Sequence, residues 1–307
     1  MRIKRKFVAL IVVVMLVITA LFASMLSQYA QGGRIAYVAV KTDKVTYING
    51  ENVTFKLTPL TSGVYFSTSG LDPNYYWYNP GANLGTVHII RIPDGYDPDQ
   101  VINDKKMLDK IQSWDDRDMA VGFDYFNSTD GTKSLSWNGT VMQNNYDDLG
   151  HVSVIYRKAL GGYYLIYPQF TSLAGHPVKF QLDRNAIFYL DALRVTTVPS
   201  IEGTTLTYNM TVSAPSSFTG DTHCEMSWSV NGNTGQEGNG SDTNHAAFDV
   251  VPGGSRNISF QQQVAVYSGY ESFRLAGWID TSQGNYTFQK TDWRINGRWS
   301  NDQPYYL

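Results

Sequence analysis

The chain has 307 residues, 17% of them charged and 14% aromatic, with a formal net charge of −3. Arg2, Lys4, Arg5 and Lys6 are the only charges before Arg34, so the chain from Arg34 onward carries −7, the total less those four positive charges. A mildly acidic surface with no basic run argues against a nucleic-acid partner. A single cysteine, Cys224, excludes an intramolecular disulfide, so core size has to supply what external domains often take from disulfides.

Residues 7–26, FVALIVVVMLVITALFASML, form an unbroken uncharged apolar run. At about 1.5 Å per helical residue, such a run spans the hydrocarbon core of a bilayer. Basic residues lie only on its N-terminal side, which predicts a cytoplasmic stub at 1–6, a transmembrane helix at 7–26, a polar tether at 27–33 and everything beyond outside the cell. The run exceeds the core of a cleavable signal, and Leu21 or Gln28 would stand three residues before the nearest cleavage points, so the reading is an uncleaved anchor in membrane lipid. A basic start followed by an apolar helix also resembles pilin-like filament subunits, although Lys6-Phe7 departs from their processing junction.

Beyond the tether, abundant Tyr, Thr, Val and Ser with frequent Gly predict strands and turns, hence an all-β fold class. Residues 34–40 read as a first strand. In 41–60, KTDKVTYINGENVTFKLTPL, Val53, Phe55 and Leu57 alternate with Thr54 and Lys56, and Asn49-Gly50 supplies a turn. This Thr-Asp-Lys, Tyr47, Gly50-Glu51, Val53, Phe55 pattern resembles the opening of the immunoglobulin-like and macroglobulin-like sandwich modules of microbial surface proteins, which implies a fold and no activity. Residues 86–92 read as a strand. A helix is expected at 98–114, with Asp97 as cap and Pro98 at its first position, as an insertion covering an open end or edge of the sheet. Strands resume at Met119 and run to Leu190, including 161–168, where Tyr163 or Tyr164 would bond back to the backbone as in similar sandwiches.

A second module is expected from 191 to 307, with strands near 193–199, 204–212, 223–230, 248–266, 271–280 and 286–295. Trp228 is its expected core tryptophan, and the Gly-rich loop 231–245 is expected to be exposed. The segment Pro252-Gly253-Gly254-Ser255 before an alternating strand resembles the adhesion-type and CARDB-like repeats of surface proteins. The expected architecture is two immunoglobulin-like β-sandwich domains, 34–190 and 191–307, behind one N-terminal transmembrane helix. Together the features resemble tandem-sandwich cell-surface glycoproteins of archaeal type.

The consecutive aromatics Tyr75, Tyr76, Trp77 and Tyr78 are the candidate binding residues, as an exposed platform for a glycan or a surface-layer protein; alternatively they cap one end of the sandwich. Asn-x-Ser/Thr acceptors stand at Asn52, Asn127, Asn138, Asn209, Asn239, Asn257 and Asn285, all on the outer side. Asp115, Asp116, Asp118, Asp147 and Asp148 lack a complete calcium-ligand spacing and read as solvated loop acids. Cys224 alternates with polar residues and reads as a small buried hydrophobe. His88, His151, His176, His223 and His245 form no zinc motif, and no nucleophile motif or phosphate loop occurs. Neither a catalytic residue nor a cofactor is assigned. The expected role is adhesion or envelope assembly without enzymatic activity; the alternatives are a filament subunit and a secreted carbohydrate-binding or hydrolase module.

Overall fold

A computed structural model describes residues 36–60, 84–104, 106–107, 119–124, 132–146, 152–169, 172–173, 176–232, 243–264 and 270–300. The strands are β1 (Ala36–Thr42), β2 (Thr46–Ile48), β3 (Val53–Pro59), β4 (Leu84–Arg91), β5 (Met119–Asp124), β6 (Lys133–Trp137), β7 (Thr140–Tyr146), β8 (Val152–Lys158), β9 (Gly162–Gln169), β10 (Ser172–Leu173), β11 (His176–Gln181) and β12 (Ile187–Asp191). They continue with β13 (Arg194–Glu202), β14 (Thr205–Ser213), β15 (Thr222–Gly232), β16 (Asn244–Val250), β17 (Ser255–Gln263), β18 (Tyr270–Thr281), β19 (Gly284–Ile295) and β20 (Arg298–Ser300). Helix α1 (Pro98–Asn103) lies between β4 and β5. The fold is all-β, as expected.

Four sheets form two facing pairs. In the N-terminal pair, β10-β11-β1-β3-β6 faces β2-β12-β9-β4-β5. Val53, Phe55 and Leu57 of β3 are fully buried, as their alternation predicts. Trp137 of the first sheet packs against Tyr164 and Phe188 of the second, with ring centroids 5.6 and 6.2 Å away. The TDK segment is a crossover: β1 and β3 pair in one sheet while β2 leaves to pair in parallel with β12 in the other. Tyr47 holds that crossover. Its hydroxyl donates to the Asp43 carboxylate, lies 3.0 Å from the Thr54 carbonyl and receives the Lys44 N–H at 3.2 Å. Glu51 closes the turn, accepting from Lys44 Nζ at 2.8 Å and from the Ile48 N–H at 3.0 Å, while Gly50 takes the positive φ of 90° that the turn requires.

The corner ahead of β9 is made by Tyr164, whose buried hydroxyl donates to the Leu160 carbonyl at 2.6 Å. Helix α1 starts as the sequence predicts, with Asp97 accepting from the Asp99 N–H at 3.0 Å and Pro98 leading the first turn. It ends at Asn103, where Asp104 turns to extended backbone; Lys106 and Met107 are helical again, and the rest of the expected 98–114 lies outside the described residues. Val101 is fully buried and joins the core, while Leu108, Ile111 and Trp114 lie outside the described residues.

In the C-terminal pair, β13-β14-β17 faces a sheet ordered β16-β15-β18-β19-β8-β7, with β20 also on β19. Trp228 is buried as expected and lies 5.4 Å from Phe260 across the core. Cys224 is fully buried as well. The β7–β8 hairpin, read from sequence as part of 34–190, extends this C-terminal sheet through a parallel rung, Lys158 opposite Tyr286.

The junction is tied further. Arg157 pairs with Asp280 at 3.0 Å and lies over the Trp278 ring, and Lys158 donates to the Gln283 carbonyl at 2.7 Å. Burial lowers the Lys158 ammonium pKa. Ser217 donates to Asp191 at 2.7 Å, and the Gly161 N–H donates to the Leu193 carbonyl at 2.7 Å. Only glycine fits at 161, because a Cβ there would stand 2.4 Å from the Ala192 carbonyl oxygen. Among the described residues no helix is long and apolar enough to cross a membrane; the run at 7–26 lies outside them.

Candidate functional site

Strand β19 begins as a normal half-buried strand, with Tyr286 and Phe288 facing the core and Thr287 and Gln289 facing out. The inward alternation then turns charged. Lys290, Asp292 and Arg294 follow in the same phase, and Glu271 stands opposite Arg294 on β18. Asp292 and Glu271 are only 3% and 2% exposed, and a buried carboxylate survives only when other groups compensate it.

Each has its partner. Lys290 Nζ lies 2.7 Å from Asp292 and 3.1 Å from the Thr197 hydroxyl on the facing sheet. The Tyr208 hydroxyl donates to Asp292 at 3.0 Å, and burial together with the Asp292 charge pushes the phenol's ionisation far up. Arg294 pairs with Glu271 at 2.8 Å. Lys290 and Asp292 line a cleft of about 450 Å³ between β13, β19 and the turn after β4. Its walls are consecutive residues of two strands, 195–199 of β13 and 288–293 of β19. Leu160, Trp299 and Ser300 complete the walls, and the turn after β4 forms the rim with Arg91, Pro93, Asp94 and Gly95. Asp94 joins the sheet pairs there, accepting from Arg194 at 2.6 Å and from Arg91 at 3.4 Å. The volume suits a small ligand or a few residues of peptide, and the groups present offer charge pairing, hydroxyls and aromatic surface.

The residues expected from sequence fall elsewhere. Tyr75, Tyr76, Trp77 and Tyr78 lie outside the described residues, as do Asn127, Asn239 and the acids Asp115, Asp116, Asp147 and Asp148 together with Asp118. Asn52, Asn138, Asn209, Asn257 and Asn285 are exposed. Asn138 accepts from the Thr140 N–H at 3.1 Å and the Thr140 hydroxyl at 2.6 Å, and Asn257 accepts from the Thr211 hydroxyl at 2.8 Å. Glu225 stands on the outer face of β15 opposite Asp280, away from the cleft. His223 pairs with Asp249 at 2.7 Å, and His245 with the Ser227 hydroxyl at 2.8 Å, both on that outer face. Among the described residues no group of three or more His, Cys, Asp or Glu is placed to hold a metal. The cleft had one legible sign in sequence, the change from Tyr286 and Phe288 to Lys290, Asp292 and Arg294 within one alternating strand.

No family model and no curated protein matches the chain. Solved structures match it loosely. An alpha-2-macroglobulin mutant from Salmonella is 9% identical over 84% of this chain and 16% of that one, with a TM-score of 0.31. Trypsin-activated alpha-2-macroglobulin from Escherichia coli is 12% identical over 87% and 16%, with a TM-score of 0.27. A DUF4785 family protein from Legionella pneumophila is 10% identical over 81% and 54%, with a TM-score of 0.26. The chain thus spans about half the length of the last and far less of the macroglobulins. What they share with it is a loose β-sandwich character.

Proposed function

We propose that the protein is a non-enzymatic, membrane-anchored surface glycoprotein whose two immunoglobulin-like domains serve adhesion or envelope assembly. The observation that carries this reading is the β7–β8 hairpin at the junction, which lies between β6 and β9 in the chain and in the C-terminal sheet in space. A hairpin from the N-terminal region is spliced into the C-terminal sheet by the Lys158–Tyr286 rung, Arg157 and Lys158 fasten it to β18 and the β18–β19 turn, and Asp94 pairs with Arg194 across the junction. Such a connection resists bending between the two pairs. The polar groups bordering the cleft are largely tied to one another, an arrangement suited to recognition. The exposed acceptors Asn52, Asn138, Asn209, Asn257 and Asn285 agree with an external, glycosylated surface.

Protease added to intact cells that make the protein tests this. The part beyond Arg34 should be removed while cytosolic proteins survive, and intact-mass analysis should find residues 1–6 retained. Protection of the whole chain until the cells are lysed would refute the reading.

A further inference from the structure

Five Asn-x-Ser/Thr triplets lie among the described residues, beginning at Asn52, Asn138, Asn209, Asn257 and Asn285. An enzyme that joins a sugar to the carboxamide nitrogen has to reach that group together with the hydroxyl two residues on, so the triplet must lift from its surroundings. In four of the five the middle residue resists this. Val53, Met210 and Tyr286 are each no more than 1% exposed, and Ile258 packs partly buried against the core. Polar groups of three of these triplets are engaged as well. The Thr211 hydroxyl, which belongs to the Asn209 triplet, donates to the Asn257 carboxamide oxygen at 2.8 Å, and the Thr287 hydroxyl of the Asn285 triplet donates to the Gly277 carbonyl at 3.2 Å.

Asn138 differs on each count. It is exposed in the turn between β6 and β7, and its middle residue is Gly139, which has no side chain to hold in the core and takes a positive φ of 74°. The Thr140 hydroxyl donates to the carboxamide oxygen of its own triplet's Asn138 at 2.6 Å, and the Thr140 N–H donates to the same oxygen at 3.1 Å. A backbone N–H only donates, so the atom it meets is the oxygen, and the NH2 group of Asn138 faces away from Thr140. The turn itself is held through its carbonyls: that of Gly139 accepts from the Ala159 N–H at 2.8 Å, and that of Thr140 accepts from the Trp137 indole at 2.8 Å. Neither bond occupies the carboxamide.

We propose that Asn138 is the acceptor that is N-glycosylated on the folded protein, and that Asn52, Asn209, Asn257 and Asn285 take sugar only before their strands pair. The proposal rests on the reading of the protein as an external glycoprotein and names the site. The donor is an oligosaccharide carried on a polyprenyl diphosphate, and the catalyst is a separate transferase. The Asn138 nitrogen attacks C1 of the first sugar. An N–C bond forms as the C1–O bond to the diphosphate breaks, the polyprenyl diphosphate leaves with the electron pair, and the nitrogen gives one of its two protons to a base of the transferase. The two donors on the carboxamide oxygen stabilise the charge that this oxygen gains as the proton departs.

The test uses the full chain in detergent with Asn127→Gln and Asn239→Gln, which leaves the five described acceptors. A purified single-subunit oligosaccharyltransferase that accepts Asn-x-Ser/Thr is supplied with its polyprenyl-diphosphate oligosaccharide, and initial rates at each asparagine are read by mass spectrometry. A synthetic peptide spanning each triplet gives the rate without the fold. Asn138 in the folded chain should react within about threefold of its peptide, and each of the other four should react about tenfold or more slowly than its own peptide, because local opening has to come first. Slowing of Asn138 as great as that of the other four would overturn the proposal. So would a folded-chain rate at Asn209 or Asn257 equal to that of its peptide. The surface reading fails separately, since it depends on protease access in intact cells and not on transfer to the purified chain.

Discussion

The two sheet pairs bury different chemistry. The N-terminal pair closes over Tyr47, Phe55, Trp137, Tyr164 and Phe188, whose few polar atoms are spent on backbone corners. The C-terminal pair has an equally apolar half around Trp228 and Phe260, but beyond Phe288 it also buries the carboxylates of Asp292 and Glu271, each paired with a partly exposed cation, Lys290 and Arg294. Buried charges of this kind add little to stability compared with well-packed apolar residues, so they mark a place where the sandwich is arranged for something besides folding. That place borders the cleft between β13 and β19.

Substitutions can break this contrast or sharpen it. Trp137→Ala should cost about 3–5 kcal/mol, as large cavities do, and because the β7–β8 hairpin between β6 and β9 lies in the C-terminal sheet it should lower one common unfolding transition in calorimetry. A new early transition that leaves a second one in place would separate the pairs. Asp292→Ala should cost about 2 kcal/mol in denaturant unfolding, since it takes the carboxylate partner from the buried Tyr208 hydroxyl, whereas Asp94→Ala at the open rim should cost no more than about 1 kcal/mol. Equal costs would mean that the interior charges are not distinguished by burial. Gly161→Ala should cost about 1–3 kcal/mol, because the added methyl collides with the Ala192 carbonyl at the junction. Tyr164→Phe should cost about 1 kcal/mol through the lost bond to the Leu160 carbonyl, with the fold intact by circular dichroism.

The smallest effect is confined to alkaline pH. Burial, with a further contribution from Asp249, pushes the Cys224 thiol up from 9.0 to about 11. The folded chain then holds that proton more tightly than the unfolded chain, so stability is complete below pH 9 and falls as pH rises through the interval from 9 to about 11. Tyr47, Tyr208 and Tyr286, each raised first by burial, extend the fall from their ordinary value of 10.0. Melting temperature measured against pH should therefore be flat near neutrality, and Cys224→Ala should delay the onset of the decline. An unchanged onset would show that the thiol does not contribute.

Local patterns carried much of the fold. The alternation of Val53, Phe55 and Leu57, the Asp97-Pro98 helix start, the Tyr164 corner and the core position of Trp228 all follow from rules acting over a few residues. What depended on distant partners was not legible. Nothing near Lys158 says that it will stand opposite Tyr286, and nothing near Thr197 says that Lys290 will reach it. The cleft was half legible: the charged second half of β19 is visible in sequence, but its place opposite β13 and the turn after β4 depends on distant partners. The aromatic run Tyr75, Tyr76, Trp77 and Tyr78, the strongest sequence candidate, lies outside the described residues.

The central claim is that the β7–β8 hairpin in the C-terminal sheet makes the two pairs one mechanical unit. Native-state amide exchange of the full chain tests it most directly, by comparing Phe55 in β3 with Ile279 in β18. One unit predicts opening free energies within about 1 kcal/mol of each other, both equal to that of global unfolding. Opening of Phe55 at several kcal/mol less than Ile279, with β18 still protected, would contradict it.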